Sequence, residues 1–427
     1  MYAAQVPLRK LGHTWDVAVV GAGAAGLATA IFARRDRPDR TVMLLDGAAK
    51  PGAKILVSGG GRCNVTNTVV ADTDFWGGKR TIVRRVLQGL PVPDTIAFFQ
   101  EIGVPLHQEA GGKLFPDSNR ARDVLTALLQ AAERAGVELA HPARVLSIQR
   151  SGDRFDVETS VGSLTATSVV LATGGRSLPK TGSDGGGYDI AQGLGHGLVA
   201  QIPALAPLVL DPDTSHSVHT QLSGIAVEAA ISVWIKGAVA TRLSGALLWT
   251  HFGVSGPLVL NVSRHWARAR QVGDDVRLTL SFRPGVSFEQ EDALWIKAAA
   301  DRPRATVRGM LSAALPDAVA LAILGVLAIP TDRALAGMSR EERRRLVHAL
   351  VEWPLPVVDT RGYNYAEVTA GGVDLSEIDP STMESRVCPG LFLVGEILDV
   401  DGRIGGFNFQ WAWSSARLAA RGLAGRT

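Results

Sequence analysis

The stretch VAVVGAGAAGLATA, from Val17 to Ala30, limits what this chain can fold into more than any other segment. Gly21, Gly23 and Gly26 stand between an apolar β-branched run and an alanine-rich run. Glycine in such a place frees the backbone to take a conformation, or an approach, that a Cβ would block. The run DVAVV reads as a buried parallel strand, LATAIFARR as a helix packed closely on a sheet, and TVMLLD as a second strand ending at Asp46. This is the sequence of a dinucleotide-binding βαβ unit. Gly21 makes the tight turn, Gly23 lets a pyrophosphate approach the backbone, and Gly26 lets helix and strand pack; Ala24 and Ala25 open the helix whose free N–H groups face the phosphates. Asp46 can accept from both ribose hydroxyls, which argues against a 2′-phosphate there. A chance turn of small residues is the bland alternative, and the flanking strand, helix and acid speak against it.

The motif alone does not choose between NAD and FAD. The glycine-rich loop KPGAKILVSGGGRCNVTNT, Lys50 to Thr68, can run beneath an extended ribityl chain and reach an isoalloxazine, which favours FAD. Two further apolar runs end in the same chemistry: SVVLATGG at Thr173 and Gly174, and GLFLVGE at Gly395 and Glu396. Strands that end in glycine or an acid at one sheet edge mark the ligand edge of a doubly wound fold.

Taken together, SGGGRCNVTN, LATGGRSLPKTGSDGGGYDIAQGLGH, THFGVSGP, VTAGGV, TMES and GEILDVDGRIGGFNFQWA resemble the bacterial flavoprotein family that includes aminoacetone oxidase and the bile-acid-inducible flavoprotein, within the glutathione-reductase-like group. The resemblance runs from about Asp16 to Leu423. It implies an α/β fold: a glutathione-reductase-type, Rossmann-like FAD domain with an inserted β subdomain and a small helical subdomain. It also implies non-covalent FAD. Lys54, Ser58, Gly60, Gly61, Arg62 and Asn64 would line the ribityl and flavin face, Val145 would meet adenine through its main chain, and Thr173 and Gly174 would close over the diphosphate. Gly395 and Glu396 would meet the ribityl hydroxyls. Gly405, Gly406, Phe407 and Asn408 would open the last helix toward the flavin N1/C2=O edge, where reduction places negative charge.

The expected domain limits are 11–194 and 357–427 for the two parts of the FAD domain, 195–286 for the β-rich insertion and 287–356 for the helical subdomain. A formal charge of +3 on 427 residues gives no electrostatic reason to expect a nucleic-acid partner. The longest wholly apolar run, Ala318 to Ile329, is too short for a bilayer of roughly 30 Å. Two cysteines make no disulfide framework, and the start has no secretory pattern, so a cytoplasmic protein is expected. Cys63 lies where disulfide reductases of this superfamily carry a first redox cysteine, but Thr68 stands where the second would be, so a packed thiol is the better reading. Asp211, Asp213, His216 and His219 in DPDTSHSVHT read as a turn, and no metal is expected.

The resulting expectation is an FAD-dependent oxidoreductase that moves a hydride between the flavin and a small organic substrate or NAD(P)H, the nicotinamide binding transiently over the flavin because no second βαβ motif is present. The competing reading is a flavin-binding sensor or assembly protein. HFGVSG (His251 to Gly256) and AEVTAGGV (Ala366 to Val373) are expected to roof the catalytic face. His251 is the first choice of proton donor, ahead of Thr369 and Glu367. The sequence leaves open the substrate, an oxidase passing electrons to O2 against an NAD(P)H-linked reductase, NADH against NADPH, the role of Cys63 and the oligomeric state.

Overall fold

The computed structural model describes residues 12–426 and divides them into two units, 12–201 with 367–426 and 202–366. The first unit begins with β1 (Thr14–Val20), α1 (Ala24–Asp36) and β2 (Val42–Leu45), so the βαβ unit expected from the glycines is present. Next come α2 (Ala121–Arg134), β3 (Glu138–Ala140), β4 (Val145–Ser151), β5 (Arg154–Thr159) and β6 (Gly162–Leu171). After the second unit the chain returns with β7 (Leu391–Leu393) and α3 (Phe407–Gly425).

The sheet runs β3-β2-β1-β6, and these four are parallel. The far side of β6 is shared: its first half pairs antiparallel with β5, and Val169 to Leu171 pair parallel with β7. All five parallel strands therefore end at one edge. Every residue of β2 is buried, as a sheet covered on both faces requires. α1 and α3 both belong to the core of this unit, with Leu27, Ile31, Trp411 and Trp413 all buried. Phe99 meets Trp413 edge-on, with ring centroids 5.3 Å apart.

The second unit carries an antiparallel seven-stranded sheet in the order Trp353–Leu355, Val276–Ser281, Ala226–Ile235, Ala238–Thr250, Gly253–Ser255, Leu208–Leu210, Val357–Thr360. Helices Phe288–Asp301, Val307–Ser312, Asp317–Leu327 and Arg340–Val351 lie between its strands in sequence. Three expected limits change. The first stretch of the first unit runs to Gln201 and not to Leu194. The β-rich and helical stretches form one unit, because Trp353–Leu355 and Val357–Thr360 return to the sheet after the helices. The chain re-enters the first unit at Glu367 and not at Val357. The expected start at Leu11 lies outside the described residues. Among the described residues, no helix is long and apolar enough to cross a membrane.

Candidate functional site

Four loops leave the common edge of the parallel strands. Gly21, at the end of β1, has φ +104°, and a Cβ there would run into the carbonyl of Ala172 at the end of β6. A Cβ on Gly26 would collide with the Gly21 carbonyl, so these two glycines let the turn, the helix and the neighbouring strand close together. Gly23 differs: nothing lies within 4 Å of the place its Cβ would take. It caps α1 without a side-chain hydrogen bond, and the first turn of α1 contains no acid. The helix thus offers Ala24 and Ala25 N–H groups and a partial positive charge to open space.

Asp46 sits beside this turn. Its Oδ2 accepts from Ala22 N–H (2.6 Å) and its Oδ1 from Ala48 N–H (2.7 Å). Burial raises its carboxyl above the ordinary range, and those two N–H donors oppose the rise. Each oxygen keeps a lone pair for a further donor. Val145 opens β4 close by, since Ala143 N–H donates to the Asp46 carbonyl (2.7 Å). On the β6 side, the hydroxyls of Thr173 and Ser183 are buried with no hydrogen-bond partner among the described residues. Gly174 lies against Ser183 and Gly187 against Thr173, so both hydroxyls belong to the same loop cluster. Sequence reasoning did not single out Ser183; its place between Gly182 and the run Asp184-Gly185-Gly186-Gly187 was the available signal.

The third loop, after β7, carries Glu396 against Lys54 of the segment after β2. Lys54 Nζ donates to Glu396 Oε2 (2.6 Å), and Glu396 Oε1 accepts from Thr369 N–H (2.8 Å). Thr369 Oγ1 in turn accepts from Arg176 N–H (2.8 Å) and Ser177 N–H (3.1 Å), and lies 3.1 Å from Ser177 Oγ. Thr369 is fully buried, so its hydroxyl anchors the loop after β6 and is not the catalytic group expected of it. Glu367 is exposed, yet the protein around it raises its carboxyl above the ordinary range; Lys54 opposes the rise and Glu396 adds to it.

The fourth loop leads into α3. Gly406 caps it with φ +95° and no side-chain hydrogen bond, and the first turn again lacks an acid. Trp411 Nε1 donates to the Gly395 carbonyl (3.1 Å), fixing this helix to the Glu396 loop. Several residues expected on the flavin face are engaged with protein instead. Arg62 pairs with Glu109 (2.6 Å) and lies 4.1 Å over the Phe115 ring. Asn64 is buried, its amide oriented so that it donates to the Leu114 and Thr66 carbonyls and accepts from Gly406 N–H. Asn408 brackets Gly402, accepting from its N–H (2.8 Å) and donating to its carbonyl (3.0 Å). These side chains shape the cradle; Gly405 and Phe407 flank the cap. Ser58 Oγ donates to Ile55 O (2.7 Å), while Gly60 opens on empty space and Gly61 is exposed.

Cys63 is fully buried, and burial pushes its thiol up to about 12, so the packed reading holds. Asp211 Oδ1 accepts from Asp213 N–H (3.0 Å), the turn expected of that segment. No group of three His, Cys, Asp or Glu among the described residues could hold a metal. His251, in the second unit, is exposed, its ring edge-on to Phe252 at 5.1 Å.

The open space over Gly23, the orphaned Thr173 and Ser183 hydroxyls, and two uncapped helix starts fit an anionic dinucleotide lying along this edge. Asp46 suits its ribose. Comparison with known proteins agrees. The family model described as HI0933-like protein Rossmann domain matches residues 15–422. A 3-dehydro-bile acid delta(4,6)-reductase of Clostridium scindens is 31% identical over 96% of this chain and 99% of its own length. A ribosomal RNA dihydrouridine synthase of Escherichia coli is 33% identical over 96% of this chain and 98% of its own. Among solved structures, E. coli quinol fumarate reductase superimposes with a TM-score of 0.52 at 16% identity, covering 97% of this chain and 70% of that one, a likeness of fold.

Proposed function

Since the chain belongs to the HI0933-like protein Rossmann-domain family and is an FAD-dependent oxidoreductase, we propose that it reduces a carbon–carbon double bond conjugated to a carbonyl. The names of two relatives support this reading, because they describe one chemistry. A dienone reductase and a dihydrouridine synthase both add hydride and proton across a C=C activated by a neighbouring carbonyl. The substrate is a small enone. The same reaction on a uracil ring is the second reading, carried by the 33% identity to the E. coli enzyme. The low net charge argues against RNA on electrostatic grounds alone.

The observation that carries the FAD-dependent part of this reading is the strand edge itself. Gly23 and the α1 N-terminus would hold the diphosphate, Asp46 the adenosine ribose, Thr173 and Ser183 the phosphate oxygens, and Glu396 the ribityl hydroxyls. When bound, FAD supplies two-electron hydride exchange at N5, with NAD(P)H as the transient donor. The α3 N-terminus would favour negative charge on a ring system bound at this edge. Lys54 holds Glu396 in place, and Thr369 holds the loop that follows β6. Glu367, which lies in the first unit and feels Lys54 and Glu396, holds the proton for the substrate α-carbon.

Anaerobic stopped-flow mixing with NADPH or NADH, then with a steroid enone, a uridine-containing RNA or an amine, tests the proposal. Bleaching by the nicotinamide and recovery of colour with the enone are expected. Recovery only with RNA would transfer the assignment to the second reading, and reduction by the amine with no response to enone or RNA would end both. Glu367→Gln should keep FAD yet slow the recovery by about 10²–10⁴-fold.

A further inference from the structure

In the first unit, the loop 174–187 after β6 closes on itself. A Cβ on Gly187 would run into the Thr173 hydroxyl at the loop's start, and one on Gly174 would lie 2.9 Å from Ser183 Oγ. The root is fixed, since Arg176 N–H and Ser177 N–H donate to the buried Thr369 hydroxyl. The tip reaches farther. A Cβ on Gly182 would lie 3.7 Å from that of Ala48, just after β2. Asp184 pairs with Arg144, just before β4, through two bonds, Nη1 to Oδ2 (2.6 Å) and Nη2 to Oδ1 (3.2 Å). Because the strand order is β3-β2-β1-β6, a loop rooted at β6 that touches residues after β2 has spanned the end of β1, where Gly23 and the α1 N-terminus face open space.

Neighbours in this tip differ in setting: Ser183 is buried with an unpartnered hydroxyl, whereas Asp184 is exposed. The other bonds of the tip are local, with Thr181 N–H on Leu178 O (2.8 Å), Gly182 N–H on Pro179 O (3.1 Å) and Gly186 N–H on Asp184 Oδ1 (3.1 Å). Among the described residues, the Arg144–Asp184 pair is the only hydrogen bond or ion pair that ties residues 178–185 to any segment other than the helix Gly186–Gly193 beside them. The arginine end is rigid: Arg144 N–H donates to Ser160 Oγ (3.1 Å) and Ser160 N–H to Arg144 O (2.8 Å). At the other end, Gly182 (φ +98°) and Gly185 (φ +91°) bracket Ser183 and Asp184 in the left-handed region, two points about which the tip can swing.

We propose that residues 174–187 form a strap over the dinucleotide and that the Arg144–Asp184 pair is its latch, setting how fast the cofactor enters and leaves; this rests on the diphosphate lying at the α1 N-terminus, as read above. Both side chains of the pair are partly exposed, so the latch lies on the solvent side of the strap, while the buried Ser183 hydroxyl lies on its inner side. An exposed ion pair contributes little to global stability. As the one polar tie of the tip, it decides how often the strap opens, which is a local event. Arg144 and Asp184 are therefore positioning residues: they act on passage, and breaking their pair lowers the barrier in both directions.

The test mixes full-length apo-protein with FAD in stopped flow and follows release by flavin fluorescence after dilution. Arg144→Gln and Asp184→Asn should each raise both the association and the release rate by about two- to fivefold, the range an exposed ion pair supports, and leave the dissociation constant within about twofold. Asp184→Asn keeps an acceptor for Gly186 N–H, so it reads the loss of charge. Arg144→Lys should restore most of the wild-type behaviour, and added salt should speed exchange in the wild type but not in the two neutral variants. Trypsin cleavage after the exposed Lys180 reads the strap with no cofactor present and should be faster in both neutral variants. Unchanged cleavage with unchanged rates overturns the latch and leaves the reading of the cofactor edge standing. Faster cleavage with unchanged FAD rates overturns the strap's place over the dinucleotide, and with it the placement of the diphosphate on which it rests. Faster release with unchanged association also overturns the proposal, since it would make the pair part of the bound complex.

Discussion

Lys54 Nζ lies 2.6 Å from Glu396 Oε2 and ties two loops of the cofactor edge together across 342 residues of chain. Glu396 is also the acceptor for Thr369 N–H, so one carboxylate holds three segments. Glu396→Gln should keep an acceptor for Thr369 but lose the charge that Lys54 pairs with, whereas Lys54→Met should leave the Thr369 bond intact. A double-mutant cycle on FAD affinity should give a coupling of about 0.5–3 kcal/mol. Strict additivity would show that the pair does not act on the cofactor.

Asp46→Ala should weaken FAD binding at least tenfold, since each charge-assisted hydrogen bond contributes about 1.5–3 kcal/mol. It should also destabilise the apo-protein, because Ala22 N–H and Ala48 N–H both lose their acceptor. Affinity should depend on pH. Burial raises this carboxyl in the apo-protein, and ribose donors favour its ionised form, so affinity is full above the raised value and falls as pH drops through it. Titration of apo-protein by flavin fluorescence from pH 7 downward checks both points; equal dissociation constants for the two proteins would remove Asp46 from the ribose.

His265, in the helix Pro257–Gln271 of the second unit, has its imidazole pulled from 6.5 down to about 4, first by burial and then by the charge of Arg264. Its neutral form is the one the fold prefers. The stability it contributes is therefore complete above pH 6.5 and is lost as pH falls toward 4, about 3 kcal/mol in all. Urea midpoints at pH 7 and 4.5 should converge for His265→Gln relative to the wild type. An unchanged pH dependence in the variant would exclude this histidine as the cause.

Ser385, His196 and Glu377 have the spacing of a hydrolytic triad: His196 Nε2 lies 2.9 Å from Ser385 Oγ, and Nδ1 lies 2.7 Å from Glu377 Oε2. Ser385 Oγ is already an acceptor for Val387 N–H (3.0 Å) and Cys388 N–H (2.7 Å), and both serine and histidine are buried. A fluorophosphonate probe should leave Ser385 unlabelled, and His196→Ala should cost about 1–3 kcal/mol of stability through unpaired buried groups. Labelling of Ser385 in folded protein would give this trio a chemical role.

The nucleotide edge was legible because glycine reports on backbone geometry: Gly21 and Gly26 sit where a Cβ would collide with the neighbouring main chain, and Gly23 leaves open space at the helix start. Asp46 was legible because its distance from Gly26 follows from the length of one helix and one strand. Polar side chains were less so. Arg62, Asn64 and Thr369 are residues of flavin-lining type, but their partners Glu109, Gly406 and Arg176 come from distant segments, and composition carries no trace of such pairings. The same holds for Trp353–Leu355 and Val357–Thr360, three- and four-residue strands whose place in the second sheet is fixed by distant partners.

The position of β7 has a consequence for the order of events during synthesis. Leu391–Leu393 completes the parallel edge, and the loop after it supplies Gly395 and Glu396, so these parts emerge from the ribosome only after residues 202–366. Until then β6 lacks its neighbour along Val169 to Leu171, and Lys54 lacks its carboxylate. The nascent first unit is an unfinished sheet with one open flank while the second unit, contiguous in sequence, can close on its own. Cofactor capture is thereby a late event, set by the last tenth of the chain, and a C-terminal truncation before Leu391 should yield colourless protein whose second unit is still folded.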